Sequence, residues 1–150
     1  MPMGNPEKHH GSCACGGVLF EVTGILSEIT FCHCTQCQKA SGHFVAATST
    51  SLANFNLIQD KPLVWFESSE EAKRGFCSVC GSNLFWKVDK EEEISIWPGA
   101  FDGPIDFKAK EHIFVASKAD YYDIQDSLPK HDYFPGYKMP TDKYSLKRKE

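Results

Sequence analysis

The chain has 150 residues, of which 41% are hydrophobic and 24% charged, a balance that fits one globular domain and excludes both wholesale disorder and a fibrous repeat. Its 20 acidic and 16 basic residues leave a net charge of −4, which provides no field to attract a phosphate backbone or an anionic membrane. No apolar run approaches the roughly 20 residues needed to span a bilayer, and the opening MPMGNPEKHHGSC lacks the apolar core of a secretory signal, so a cytoplasmic protein with no nucleic-acid or membrane partner is expected.

In chain order, residues 1–10 read as an N-terminal extension, 11–136 as one domain and 137–150 as a basic tail. The first landmark is Cys13-x-Cys15, followed by Gly16 and Gly17, the permissive backbone a chelating turn uses. Short β-like runs come next at Val18–Thr23 and Ile29–Cys32. The triplet Cys32-x-Cys34-x-x-Cys37 then leads into one helical turn expected over Thr35–Ser41, with Thr35 as its cap. Further strands are expected at Phe44–Ser49, Asn56–Gln59, Leu63–Glu67, Ser82–Val88, Ile94–Trp97 and His112–Ala116. Cys77-x-x-Cys80, followed by Gly81, precedes the sixth of these eight. Phe55, Leu57, Val64, Phe66, Leu84, Trp86, Val88, Ile94 and Ile96 give these runs the alternation of half-buried strands. Lys138, Lys143, Lys147, Arg148 and Lys149 give the tail a charge of +3 and leave −7 upstream, the pattern of a solvated tail.

Seven cysteines in a chain with no export signal argue for metal ligation over a disulfide framework, because the cytosol keeps thiols reduced and an odd count leaves one unpaired. Tetrahedral Zn²⁺ takes four soft ligands, and close-set thiolates supply two or three of them on one tight turn. Seven sulfurs divide as four and three: Cys13, Cys15, Cys77 and Cys80 would close a structural site, and Cys32, Cys34 and Cys37 would form a second with one position free. A substrate thiol taking that position would ionise, since coordinated thiols do. The count alone also admits a purely structural pair of metals, with His33, Ser41 or water as the fourth ligand of the triplet, or a redox dithiol at Cys34 and Cys37.

Among the remaining polar residues, His33 lies between two presumed ligands on an alternating strand, so its ring is expected on the opposite face. His43 is read as a surface residue that could carry protons, and His112 opens a strand without an assigned role. Lys39, Lys73, Arg74 and Lys110 could pair with carboxylates. Ser41 and Gly42 close the triplet turn, and Trp65, Trp86 and Trp97 are read first as core.

The runs GSCACGGVLFEV (Gly11 to Val22), FCHCTQCQKASG (Phe31 to Gly42) and RGFCSVCGSNLFW (Arg74 to Trp86) closely resemble the glutathione-dependent formaldehyde-activating enzyme family, which includes the centromere protein V relatives. EHIFVASKADYYDI (Glu111 to Ile124) resembles the family's final block, so the likeness runs from Gly11 to Ile124. The resemblance implies a β-tent fold of short antiparallel strands pinned by a four-cysteine zinc site, with two zincs per chain. It matches Cys13, Cys15, Cys77 and Cys80 to the structural site, and Cys32, Cys34 and Cys37 to the catalytic one. It further implies a carbon–sulfur lyase acting on S-hydroxymethylglutathione, the adduct of glutathione and formaldehyde.

Two functions from different classes follow. One is a zinc-dependent carbon–sulfur lyase whose partner is a small thiol such as glutathione; the other is a zinc-stabilised binding module for a protein or small thiol without turnover. A nucleobase deaminase is excluded, because its H-x-E followed by P-C-x-x-C is absent.

Overall fold

A computed structural model describes residues 7–135; the basic tail lies outside the described residues. The chain is mainly β, as expected. Its elements are β1 (Lys8–Ser12), β2 (Leu19–Thr23), β3 (Ile29–Cys32), α1 (Thr35–Ser41), β4 (Val45–Ser51), β5 (Phe55–Gln59), β6 (Leu63–Glu67), β7 (Ala72–Cys77), β8 (Asn83–Val88), β9 (Glu93–Ile96) and β10 (Ala109–Ile113). They form a three-stranded sheet ordered β1-β2-β5 and a seven-stranded sheet ordered β10-β3-β4-β9-β8-β7-β6.

Among the described residues, every pairing between named strands is antiparallel except that of β10 with β3, which is parallel. This corrects the expectation of antiparallel strands throughout. A parallel neighbour needs a long crossover, and the chain from β3 to β10 supplies it with nearly the whole second sheet. The expected strand His112–Ala116 ends early, at Ile113, because Phe114 takes a left-handed φ of 55° and Val115–Ser117 coils into a 3₁₀ turn.

Two strands have no alternating apolar signature and so escape sequence reading. In β1, KHHGS, the contact that matters is an absence of side chain: a Cβ at Gly11 would lie 2.1 Å from Phe20 Cζ. In β7, AKRGFC, Gly75 lets Trp65 and Phe85 approach, with a Cβ there meeting them at 3.0 and 3.1 Å. Glycine on a strand commonly marks such close approach.

The core lies where the two sheets meet. Val18, Phe20 and Val22 from the smaller sheet's side pack with Leu84, Phe85, Ile94 and Ile96 from the larger, and Cys13 and Cys77 belong to the same buried cluster. Phe20 sits edge-on to Phe85 and Phe101 at centroid distances of 5.1 and 5.4 Å, the favoured aromatic geometry.

The phase of β6 is opposite to the expected one. Leu63 and Trp65 turn toward the core, whereas Val64 and Phe66 are 42% and 47% exposed. As the edge strand of its sheet, β6 has apolar residues on both faces, so alternation alone leaves two phases open.

Candidate metal centres and their surroundings

The two turns that carry C-x-C and C-x-x-C come together at the end of the core. Cys13 follows β1, and the turn closes through Gly16 N–H donating to Cys13 O at 3.1 Å, with Gly16 at φ 78°. Cys77 ends β7, and Gly81 N–H donates to its carbonyl at 2.8 Å with φ 76°. Both glycines occupy the left-handed region that costs other residues strain. Ala14 N–H donates to Ser82 Oγ at 3.0 Å and links the turns.

The four sulfurs of Cys13, Cys15, Cys77 and Cys80 lie within 4.8 Å of one another. Cys13 and Cys15 are 3.6 Å apart, and Cys15 and Cys77 are 3.7 Å apart. A tetrahedral Zn²⁺ with Zn–S bonds of about 2.3 Å sets sulfur–sulfur edges of about 3.8 Å, so the donor set fits the ion. All seven cysteines are free thiols. Val18 N–H donates to Cys13 Sγ at 3.2 Å, and hydrogen bonds from Ser82 pull the Cys80 thiol down to about 5, both favouring thiolates at those two positions, whereas Cys15, despite the Gly17 N–H, is raised to about 11 by its sulfur neighbours.

The second cluster forms where β3 runs into α1. The sulfurs of Cys32, Cys34 and Cys37 also lie within 4.8 Å of one another, so this group too could hold a metal ion. The helix cap is Cys34, which corrects the assignment to Thr35: its Sγ accepts from Cys37 N–H at 3.3 Å. One sulfur thus closes the cluster and satisfies a helix N-terminal donor. Hydrogen bonds from Cys32 and then Cys37 hold the Cys34 thiol down at about 3, while its two partners Cys32 and Cys37 are raised. Arg74 Nη2 donates to Cys37 Sγ at 3.5 Å, bringing a buried cation from β7 against the sulfurs.

Ser41 and Gly42 complete the turn, as expected of them. Ser41 Oγ donates to Cys37 O at 2.8 Å, and Gly42 caps the helix at φ 84°.

His33 is buried, at 1% exposure, and the three-sulfur cluster closes without it. Both of its ring nitrogens are engaged: Nδ1 with the Tyr122 hydroxyl at 2.9 Å and Nε2 with His112 Nδ1 at 2.8 Å. His112 Nε2 continues to Asp126 Oδ2 at 2.9 Å. The hydrogen bond from His112 lowers the Asp126 carboxyl below its usual range, so it is an ionised acceptor and His112 Nε2 carries a proton. Burial, reinforced by His112, lowers His33 to about 4 and keeps it neutral. One hydrogen is shared between His33 Nε2 and His112 Nδ1, and another between His33 Nδ1 and the Tyr122 hydroxyl.

This line binds the turn between two sulfur donors to the segment after β10, which also pairs through His112 N–H to Pro129 O and His131 N–H to His112 O, each at 2.9 Å. Sequence reading left Tyr122 and Asp126 out, although Tyr122 lies in the fourth block quoted above; a tyrosine beside charged residues gives no signal of a partner 89 positions away. His43 stands outside the line, partly buried, hydrogen-bonded to the Tyr121 hydroxyl and packed on the Tyr122 ring at 4.7 Å.

Of the four cations singled out by sequence, Arg74 alone is buried. Lys73 lies over the Trp65 ring at 4.9 Å, and Lys39 is exposed on α1, beside a cavity that Arg74 and Trp65 also line. Trp86 and Trp97 do not line it.

The glutathione-dependent formaldehyde-activating enzyme family matches residues 8–117, a span that includes both sulfur clusters. The chain belongs to this family. It matches no curated protein. A crystal structure of a Rhodobacter sphaeroides protein from the Northeast Structural Genomics effort is similar in fold, with a TM-score of 0.55 and 22% identity over 67% of this chain and 92% of that one. Membership of the formaldehyde-activating family suggests a function related to glutathione, and the two sulfur clusters are consistent with metal in this family. Among the described residues, no helix is long and apolar enough to cross a membrane.

Proposed function

We propose that this family member is a zinc-dependent carbon–sulfur lyase acting on the glutathione, or other thiol, adduct of a small aldehyde such as S-hydroxymethylglutathione, in the cytoplasm. The observation that carries the reading is the division of seven sulfurs into one group of four and one of three. In this reading Cys13, Cys15, Cys77 and Cys80 hold a structural zinc that pins a β-tent, and Cys32, Cys34 and Cys37 hold a second zinc with one position open. Zinc held by three sulfurs would supply a position at which a thiol ionises near neutral pH.

The protein's own residues supply the rest. Cys32, Cys34 and Cys37 would be held in place by the end of β3 and the first turn of α1. Arg74 brings a positive charge against Cys37 Sγ at 3.5 Å and opposes the net negative charge that three thiolates leave around a divalent ion. His33, locked between Tyr122 and His112, keeps the Cys32–Cys34 turn from shifting.

Metal stoichiometry on anaerobically purified protein, before and after a mild chelator, tests the reading when glutathione affinity is measured on both forms. Two zincs are expected, one of them removable, and glutathione binding should leave with it. Two equally inert zincs and no thiol binding would instead select the binding module without turnover.

A further inference from the structure

Beside the three-sulfur cluster lies a cavity of about 490 Å³, walled by Val64, Trp65 and Phe66 of β6, with Gln36 and Lys39 of α1 and Arg74 of β7 among its polar groups. Arg74 is the unusual member. It is only 9% exposed, yet its Nε is buried without a partner, while Nη2 makes two long contacts, to Gln36 Oε1 at 3.4 Å and Cys37 Sγ at 3.5 Å. A desolvated cation is stable only when an anion and satisfied donors compensate it. No residue lining the cavity is acidic, and exposed Lys39 adds a second positive charge. The guanidinium fork matches a carboxylate in geometry.

We propose that this cavity is a carboxylate subsite in which Arg74, assisted by Lys39, holds the carboxylate of a small thiol whose sulfur engages the Cys32, Cys34 and Cys37 site. The subsite deepens the thiol-binding reading above and rests on it. One guanidinium borders both places: Arg74 contacts Cys37 Sγ with Nη2 and is among the residues lining the cavity. The site therefore selects thiols that carry an anionic group over neutral thiols of the same length. The side chains of Val64 and Phe66, exposed at the sheet edge, acquire a role as the wall against which the ligand's carbon skeleton lies.

The test is calorimetric titration of the zinc-replete full chain, under anaerobic conditions, with glutathione, 3-mercaptopropionate and 2-mercaptoethanol. Wild type should bind 3-mercaptopropionate more tightly than 2-mercaptoethanol. Arg74→Met should weaken glutathione and 3-mercaptopropionate by about ten- to hundredfold, the range for losing a charge-assisted pair, and leave 2-mercaptoethanol within about twofold. Lys39→Met, at an exposed helix position, should give a smaller loss with the same selectivity and carries the mutational test if Arg74→Met does not fold. Equal weakening of all three thiols would overturn the subsite and leave Arg74 acting on the sulfur cluster alone. So would a wild type that does not distinguish the two short thiols.

A parallel titration with S-methylglutathione, followed by Trp65 emission as the difference between wild type and Trp65→Phe, separates the two proposals. A response to this carboxylate ligand that depends on Arg74 and Lys39, in a protein that binds no free thiol, would retain the anion site and refute the lyase reading. Absence of any response in a protein that binds free thiols without regard to charge would do the reverse.

Discussion

The two sulfur clusters are built from the same residue type at similar spacings and sit in opposite surroundings. Cys13 and Cys77 are members of the hydrophobic core, continuous with Phe20 and Phe85, and their turns are linked across 68 positions by the bond from Ala14 to Ser82. Cys32, Cys34 and Cys37 lie instead where a short strand meets the seven-residue helix α1, among a buried cation, two buried histidines and a cavity. A cluster joined to the core shares its cooperativity. One ringed by polar groups can change occupancy without unfolding the sheets. The difference shows why thiolate spacing alone does not reveal function, whereas the neighbours of each thiolate do.

The most severe way to break this contrast is Cys77→Ser. Structural zinc sites contribute about 10–16 kcal/mol in apparent terms, as much as the whole stability of an ordinary domain, about 5–15 kcal/mol. Cys77→Ser is expected to abolish cooperative thermal unfolding and to lose both metals, as read by circular dichroism and metal analysis. Cys34→Ser should keep the folded spectrum and one zinc while losing glutathione binding. A serine Oγ can still cap α1, so the stability change should stay within about 2 kcal/mol. Equal damage from both substitutions would end the division of labour between the clusters.

Much of this contrast was legible in the sequence, and the part that was not has physical reasons. The cysteine spacings and flanking glycines announce the chelating turns, and the strands β2, β3 and β6 match their expected runs within a residue at each end. β1 and β7 carry no such mark because each is specified by a glycine that accommodates aromatic rings from another strand. The cap at Cys34 was hidden because a sulfur acceptor is outside the usual cap repertoire. Nothing local to Tyr122, His112 or Asp126 reveals that they meet around His33: their contacts are set by the parallel return of β10, the least predictable connection in the fold.

That return supplies a smaller and more selective prediction. Tyr122→Phe leaves the ring in place and removes the hydroxyl partner of His33 Nδ1, on a residue that is only 1% exposed. An unsatisfied buried polar atom costs about 1–3 kcal/mol, and the loss should appear in chemical denaturation as a lower midpoint at unchanged slope. The metal content of the four-sulfur cluster should stay the same. If the midpoint does not move, the histidine line is an ornament of packing and the second cluster is held by its backbone alone.

The smallest expected effect sharpens the comparison from the other side. Val64 and Phe66 are large apolar residues, and at core positions their truncation would cost several kcal/mol. Here they are 42% and 47% exposed on an edge strand beside the cavity, so Val64→Ser should change unfolding free energy by no more than about 0.5 kcal/mol. Edge strands usually replace such residues with charge to resist pairing with other chains. The proposed carboxylate subsite accounts for apolar residues at this edge, which stability does not require. Glutathione affinity should therefore fall in Val64→Ser while the melting curve stays in place, the reverse of what Phe85→Ala would do in the core shared with Cys77.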